Sequence, residues 1–244
     1  MKAISGQQAR THSMYMVHTI FRREFALMPG LIRSAAAGDR QRANVVTDHI
    51  ELVTSLLHYH HHGEDRHLWP KLLVRGSDEV APLVRLMESQ HERIDGLSAE
   101  LNEARINWRA GADVCSRELL ANAVERITPL LVEHMNTEES RILPLIEKYV
   151  TAAEWDLMIR DAVAEARQED IPVLLGMAIY EGDPDDVEDV ISLMPPEMQP
   201  VIKELAEQAF ASHAKAVYGT ANPPRIKQIV SRAPQDLDGT LGGC

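Results

Sequence analysis

The fold is decided by two stretches of the chain, HHHGEDRHLWP at residues 60–70 and HMNTEESRILP at residues 134–144. Each reads His-x-x-x-Glu, and in each a proline follows the glutamate by six residues. The two stretches are 74 positions apart, and His18 and His91 are separated by a nearly equal 73. The second half of residues 10–150 therefore repeats the first, which predicts two helix pairs related by a pseudo-twofold axis.

Apolar residues around these stretches recur every three or four positions, the spacing of amphipathic helices. This periodicity predicts four long helices that end near residues 38, 76, 108 and 149. Because the turns between them are short, we expect an all-α fold in which residues 10–150 form an up-down-up-down four-helix bundle. A capping box at residues 151–154 opens a helical accessory segment, residues 151–218, and residues 219–244 are expected to form a flexible tail.

Within the accessory segment, Gly and Pro punctuation predicts four further helices, at about 155–167, 171–180, 185–193 and 197–218. Three of its methionines lie at amphipathic positions, which is typical of core packing or of a dimer contact: Met177, Met194 and Met198. A lid over one end of the bundle is the alternative interpretation.

Composition and charge exclude several classes of function. Apolar residues make up 45% of the chain and aromatic residues only 5%, which favours helices over strands. The formal net charge of -12 argues against a nucleic-acid partner or an anionic membrane, because phosphates would be repelled. No apolar run approaches the ~20 residues of a membrane span, and no signal peptide is visible, so we expect a cytoplasmic protein. The two cysteines, Cys115 and Cys244, are too far apart for a CxxC site.

The repeated residues have the chemistry of metal ligands. A His and a Glu four residues apart lie on the same face of a helix, one turn from each other. Two such pairs and the two single histidines would place four imidazoles and two carboxylates in the bundle interior. Neutral imidazoles serve as terminal ligands, and carboxylates can bridge two divalent cations. The candidate metal ligands are His18, His60, Glu64, His91, His134 and Glu138.

The prolines of the repeat predict a second shared feature. A proline inside a helix removes one backbone hydrogen bond and costs about 3 kcal/mol or more. Pro70 and Pro144 occupy the same place after their glutamates. We therefore expect a matched kink that frees the carbonyls of Arg66 and Ser140.

The combination of the two His-x-x-x-Glu motifs, the two prolines, His18 and His91 resembles the haemerythrin-like (HHE cation-binding) family over residues 10–149. The resemblance implies two iron ions, oxo- or hydroxo-bridged, although manganese or zinc would also suit these ligands. It implies the following assignment: His18 and His60 on one iron, His91 and His134 on the other, and Glu64 and Glu138 as bridges.

The sequence departs from oxygen-carrying haemerythrins at Asp95, where those proteins place a second histidine four residues after the helix-three ligand. Asp95 is a ligand, an acceptor for an imidazole N–H, or a solvated residue. Fewer terminal ligands leave more open positions on the metals, which favours reaction over oxygen transport.

Three other histidine positions leave alternatives open. His61 with Asp65 would preserve the spacing of the motif, but the proline register favours His60 with Glu64 and leaves His61 at the bundle edge or facing solvent. His67 is an alternative terminal ligand. His49 lies on the same face as His60, and it either supports the site, lines a channel or is a hydrogen-bonded core residue.

These features predict a non-haem di-iron protein that binds or reacts with dioxygen or hydrogen peroxide in oxygen sensing, peroxide defence or iron handling. One alternative is a di-iron peroxidase, catalase-like protein or oxygenase whose substrate pocket involves residues 151–218. Another is a metal-stabilised regulator whose accessory segment binds a partner protein. A homodimer through the accessory segment is compatible with each.

Overall fold

The computed structural model describes residues 6–76, 78 and 80–230, and this part of the chain is all-helical, as predicted. No helix in these ranges is both long and apolar enough to cross a membrane. The helices are α1 His12–Arg33, α2 Arg40–His67, α3 Trp69–Arg75, α4 Val80–Gly111, α5 Val114–Thr137, a π-helical segment Glu138–Ile142, α6 Leu143–Tyr149, α7 Ala152–Glu165, α8 Ile171–Glu181, α9 Pro184–Ser192, α10 Gln199–Tyr218 and α11 Ile226–Val230.

The four long helices pack in a closed ring around an apolar core. Helix α1 contacts α2 and α5, and α4 contacts the same two helices from the other side. His18, in the first half of α1, contacts Glu139 in the π-helical segment that follows α5. Arg33, at the end of α1, pairs with Glu118 near the start of α5. Every helix of the ring thus contributes one face to a shared interior.

Both prolines interrupt their helices at the same register. Helices α3 and α6 begin at Trp69 and Leu143, with Pro70 and Pro144 in their first turns, and each is seven residues long. The interruptions differ in form, because α2 stops at His67 whereas α5 continues through a π-helical segment into α6. The predicted matched kink is therefore an interruption at Leu68 between α2 and α3, and a π turn between α5 and α6. The repeat itself is preserved in the backbone.

The accessory segment is fastened to the bundle at its beginning. Thr151 and Glu154 form the predicted capping box of α7. Arg75 donates to both carboxylate oxygens of Glu154, at 2.7 and 2.6 Å, and to the carbonyl of Tyr149 at 2.8 Å. From there α7 packs on α2, while α8 and α9 pack on α1 and α10 packs on α8. The segment therefore covers the face of the bundle formed by α1 and α2.

A buried polar cluster fastens the other end of the segment. Glu24 and His49 are fully buried, and His49 Nε2 lies 3.1 Å from a carboxylate oxygen of Glu24. The other ring nitrogen, Nδ1, lies 3.0 Å from Nε2 of His213, and the Tyr218 hydroxyl donates to Glu24. His49 is thus a hydrogen-bonded core residue, one of the three roles left open by the sequence.

The first part of the predicted tail contacts the folded helices. The carbonyl of Pro223 accepts a hydrogen bond from Tyr180, and the carbonyl of Pro224 accepts one from Arg23 of α1. These contacts hold residues 223–224 against the folded helices. Residues 231–244 of the predicted tail lie outside the described residues.

A glycine substitution tests the packing of α8 on α10. A Cβ at Gly176 would overlap the backbone carbonyl of Ala206, so Gly176→Ala forces the two helices apart. We expect Gly176→Ala to lower the free energy of unfolding by about 1–3 kcal/mol, measured by urea denaturation. The control is Gly96→Ala in α4, where the Cβ meets nothing within 4 Å and helix propensity should add up to about 1 kcal/mol. Equal stability of the two variants would contradict the packing.

Candidate metal centre

The structure brings the predicted metal ligands together in the bundle interior. Each long helix contributes at least one of them, because the ligands lie on the inward stripe of its apolar residues. His18, Glu64, His134 and Glu138 are 0% exposed, and His91 is 2% exposed. The side chain of His60 is 9% exposed. The positions are His18 on α1, His60 and Glu64 on α2, His91 on α4, His134 on α5 and Glu138 at the start of the π-helical segment.

Two imidazole-rich groups lie side by side. In the first, Nε2 of His18 is 3.2 Å from Oε2 of Glu138 and 3.3 Å from Nε2 of His60. The second consists of His61, His91 and His134. Within each group the potential ligand atoms lie within 4.8 Å of one another, as the ligands of one ion do.

The glutamates lie between the two groups. Oε1 of Glu64 is 3.2 Å from Nε2 of His60, and its Oε2 is 3.4 Å from Nε2 of His91. Oε2 of Glu138 is 3.2 Å from His18 and 3.8 Å from Nε2 of His134. Each carboxylate therefore faces both groups, which is the arrangement that a bridging ligand requires.

The inward atoms of this set have no hydrogen-bond partner among the described residues. They are Nε2 of His91 and of His134 and both oxygens of Glu64 and of Glu138. Although they lie close to one another, their orientations do not make hydrogen bonds. Leaving buried polar atoms unpaired is costly, and two facing carboxylates repel each other. A pair of cations would satisfy all of these atoms, and imidazole with carboxylate suits iron, manganese or zinc. The residues present therefore fit a pair of metal ions.

The outward ring nitrogens are held by a second set of residues that sequence reasoning missed. Asp65 and Glu139 directly follow the two glutamates of the repeat and are themselves 74 positions apart. Such partners fix the tautomer of an imidazole and leave Nε2 free for a metal. The contacts join Nδ1 of His18 to Glu139 at 2.8 Å, of His91 to Asp65 at 2.8 Å and of His134 to Gln90 at 3.3 Å. The acidic residue directly after each repeated glutamate is the sequence pattern that could have identified Asp65 and Glu139 as these partners.

The expected position of His61 was wrong. His61 is 3% exposed and belongs to the interior rather than to the bundle edge. Its ring stacks on that of His91 at 4.1 Å, lies 4.9 Å from that of His134, and neither of its nitrogens has a hydrogen-bond partner among the described residues. Adjacent helical residues diverge by about 100°, so His60 and His61 each reach a different group. Their neighbours His58 and His62 are exposed.

Two alternatives from the sequence lie away from the centre. Asp95 is exposed on α4, which makes it the solvated residue among the three roles left open. The His67 side chain points away from the centre towards α7, and its Nε2 lies 3.0 Å from a carboxylate oxygen of Asp161. Neither side chain is part of the two ligand groups.

Protonated imidazoles supply positive charge among these residues. Burial lowers the pKa of His18, but the close carboxylates of Glu138 and Glu139 outweigh it and raise the pKa to about 9. Burial also lowers the pKa of His91, but the carboxylates of Asp65 and Glu64 outweigh it and raise the pKa to about 10. Burial holds the pKa of His61 well below its usual value, and the neighbouring His91 lowers it further.

The pKa values of the two buried glutamates shift in opposite directions. Burial raises the pKa of Glu64, and the negative charge of Glu138 raises it further. Burial would also raise the pKa of Glu138, but the close contact with His18 outweighs it and leaves that pKa lowered. The interior therefore accepts one carboxylate charge more readily than two.

Fold and site together define a helical-bundle protein with a buried, histidine- and carboxylate-rich cation site. The chain matches the family model of the Hemerythrin HHE cation binding domain over residues 10–146, more than half of its length. It therefore belongs to this family of cation-binding proteins. The chain matches no curated protein and no solved structure at a significant level.

The pKa values predict how the metal-free protein responds to pH. Folded His18 and His91 have pKa values of about 9 and about 10, against 6.5 when unfolded, so the folded chain holds protons that the unfolded chain releases. This stabilisation is complete below pH 6.5 and is lost as pH rises through the folded values. The raised pKa of Glu64 acts in the same direction. We expect the urea midpoint, measured with a chelator present, to fall between about pH 7 and about pH 10.

Metal loading provides the control for this measurement. Ligands must lose their protons to bind a cation, so metal affinity increases with pH and should reduce or reverse the slope. A metal-free midpoint that is constant over the same range would contradict the assigned pKa shifts.

Proposed function

We propose that this protein is a non-haem di-iron protein that binds or reacts with dioxygen or hydrogen peroxide. Its bundle would follow the up-down-up-down order of the family. The observation that supports the proposal is the set of buried, unpartnered carboxylate oxygens and imidazole nitrogens that face one another between two imidazole groups. The proposed ligands are His18 and His60 for one iron, His61, His91 and His134 for the other, and Glu64 and Glu138 as bridges.

The two proposed iron positions differ in their ligands. One group offers two imidazoles and the other offers three, because only α2 carries adjacent histidines at the repeated position. The position near His18 and His60 therefore has more room for an exogenous ligand. When bound, the iron pair would supply electrons to dioxygen or peroxide. Iron is favoured over zinc in this proposal because zinc has no redox chemistry.

The residues around the ligands have separate tasks. Asp65 and Glu139 hold His91 and His18 with Nε2 directed inward. Phe21 is fully buried, and its ring lies 5.4 Å from that of His60, so it keeps bulk water from this side of the site. Arg22 donates to Glu139 at 2.7 Å and so fixes the acid that orients His18.

The first experiment tests the role of His61. We expect His61→Ala to reduce iron content from about two ions to about one per chain, measured by elemental analysis after anaerobic loading. The matched control is His62→Ala, because His62 is the exposed neighbour on the same helix and should retain both ions. Full iron content in His61→Ala would remove His61 from the proposed ligand set.

The second experiment tests the proposed chemistry. The protein is loaded with ferrous iron without oxygen and then exposed to air or to hydrogen peroxide. We expect near-ultraviolet and visible charge-transfer absorption to appear, and to be lost in His60→Ala combined with His134→Ala, since each group then lacks an imidazole. The double variant His58→Ala and His62→Ala, which changes two exposed histidines, should behave as the unchanged protein does.

The two oxidants separate the candidate functions. Absorption that appears and then reverses when oxygen is removed would favour oxygen binding. Continued consumption of hydrogen peroxide by the loaded protein would favour the peroxide-degrading enzyme. A chain that takes up iron but shows no spectral change with either oxidant would refute the proposed chemistry.

A further inference from the structure

A cavity of about 190 Å³ lies between the bundle and the accessory segment. One wall is formed by α1 and α2 and includes Met16, Ile20 and Leu56. The opposite wall is formed by α7, α8 and α9 and includes Met158 and Leu174. The accessory segment thus covers the groove between α1 and α2 without filling it. We call this cavity the chamber.

The lining of the chamber is almost entirely apolar. It contains no Asp, Glu, Lys or Arg side chain, and its polar side chains are Ser13, Tyr59 and His60. Ser13 accepts a hydrogen bond from the indole N–H of Trp155 at 3.3 Å. A charged ligand would lose its hydration here without gaining an ionic partner. The lining therefore selects an uncharged, apolar molecule.

The volume limits the size of that molecule. Protein interiors are close-packed, and voids larger than one water molecule are few. An apolar cavity of roughly 150 Å³ in another protein remains dry and binds benzene. At about 190 Å³, the chamber accepts one aromatic ring with a short substituent, or an alkyl chain of similar volume.

The chamber reaches the metal centre through His60. The ring of His60 forms part of the chamber lining, while its Nε2 lies 3.3 Å from Nε2 of His18. Gly63, almost one turn further along α2, also lines the chamber, and a Cβ at this position would lie 3.3 Å from Cγ of Met158. Glycine thus lets α7 approach α2 closely beside the centre. A molecule in the chamber would border the two-imidazole side of the site.

We propose that the chamber is a binding site for an uncharged, apolar small molecule with one aromatic ring or an equivalent alkyl chain. The accessory segment supplies one wall of this site, and His60 connects it to the metal centre. The position of the ligand beside the metals rests on the proposed function, whereas the binding itself does not. Binding can therefore be measured with the metals removed.

The experiment measures binding of toluene to the full chain by calorimetry, with a chelator present. Ala162 on α7 lines the chamber, so Ala162→Phe fills part of its volume. We expect this variant to bind toluene about tenfold more weakly or not at all. The matched control is Ala164→Phe on the same helix, where Ala164 is exposed and lies outside the lining, and its affinity should be unchanged. Benzoate, which is similar in size but charged, should not bind.

A second variant guards against misfolding of Ala162→Phe. Leu174 also lines the chamber, so Leu174→Ala enlarges it and should strengthen binding of the longer butylbenzene relative to toluene. Equal toluene affinity in Ala162→Phe and Ala164→Phe, or benzoate binding as strong as toluene binding, would overturn the proposal. Binding that disappears as protein concentration rises would also overturn it and would assign the chamber to a second copy of the chain.

The metal-loaded protein separates this proposal from the proposed function. Toluene binding to the metal-free chain, with no response of the iron-loaded chain to oxygen or peroxide, would retain the chamber and refute the redox role. An oxidant response without toluene binding would do the reverse. If both proposals hold, we expect toluene to shift the visible absorption of the iron-loaded protein in the Ala164→Phe control but not in Ala162→Phe.

Discussion

Two carboxylates buried in one helical interior are the constraint on which the rest of the structure depends. Glu64 and Glu138 are both 0% exposed and face each other among imidazoles. Such an arrangement is stable only if positive charge lies between them or one of the two acids holds a proton. In the metal-free chain, protons on His18 and His91 can supply part of that charge, because the acids around both rings raise their pKa values. A pair of cations would supply all of it, and the bundle holds its ligands where cations would need them.

The twofold repeat explains most of this arrangement, and one departure from it makes the two halves of the site unequal. The equivalence of Asp65 and Glu139 extends the repeat beyond the ligands to the residues that orient them. His61, however, corresponds to the buried Met135, so the extra imidazole exists in one half only. A symmetric bundle would treat both of the proposed cations alike. The difference at this one residue would leave one proposed position with fewer ligands, and the side chains of that position lie beside the chamber.

The sequence predicted the ligand stripe because chemistry and periodicity coincide there: His60 and Glu64 are one turn apart, and the same pair returns at His134. It did not predict the place of His61, because a helical repeat alone does not show how wide the inward face is. That width depends on how closely α4 and α5 approach α2. The prolines predicted interruptions, but the π turn at Glu138 depends on local packing. The chamber was not predictable either, since amphipathic methionines such as Met194, which lines it, look the same in a filled core and in a cavity wall.

The way in which the accessory segment is fastened accounts for an unfilled interior beneath it. At its beginning, Arg75 holds Glu154 and the carbonyl of Tyr149. At its end, Tyr218 donates to the buried Glu24. These polar contacts are directional, so they fix the height of the segment above α1 and α2 independently of the apolar contacts between them. A segment held by apolar packing alone would be expected to close the gap by collapsing onto the bundle. Polar attachment at both ends therefore permits the middle to remain open beside His60, where an apolar molecule can complete the packing.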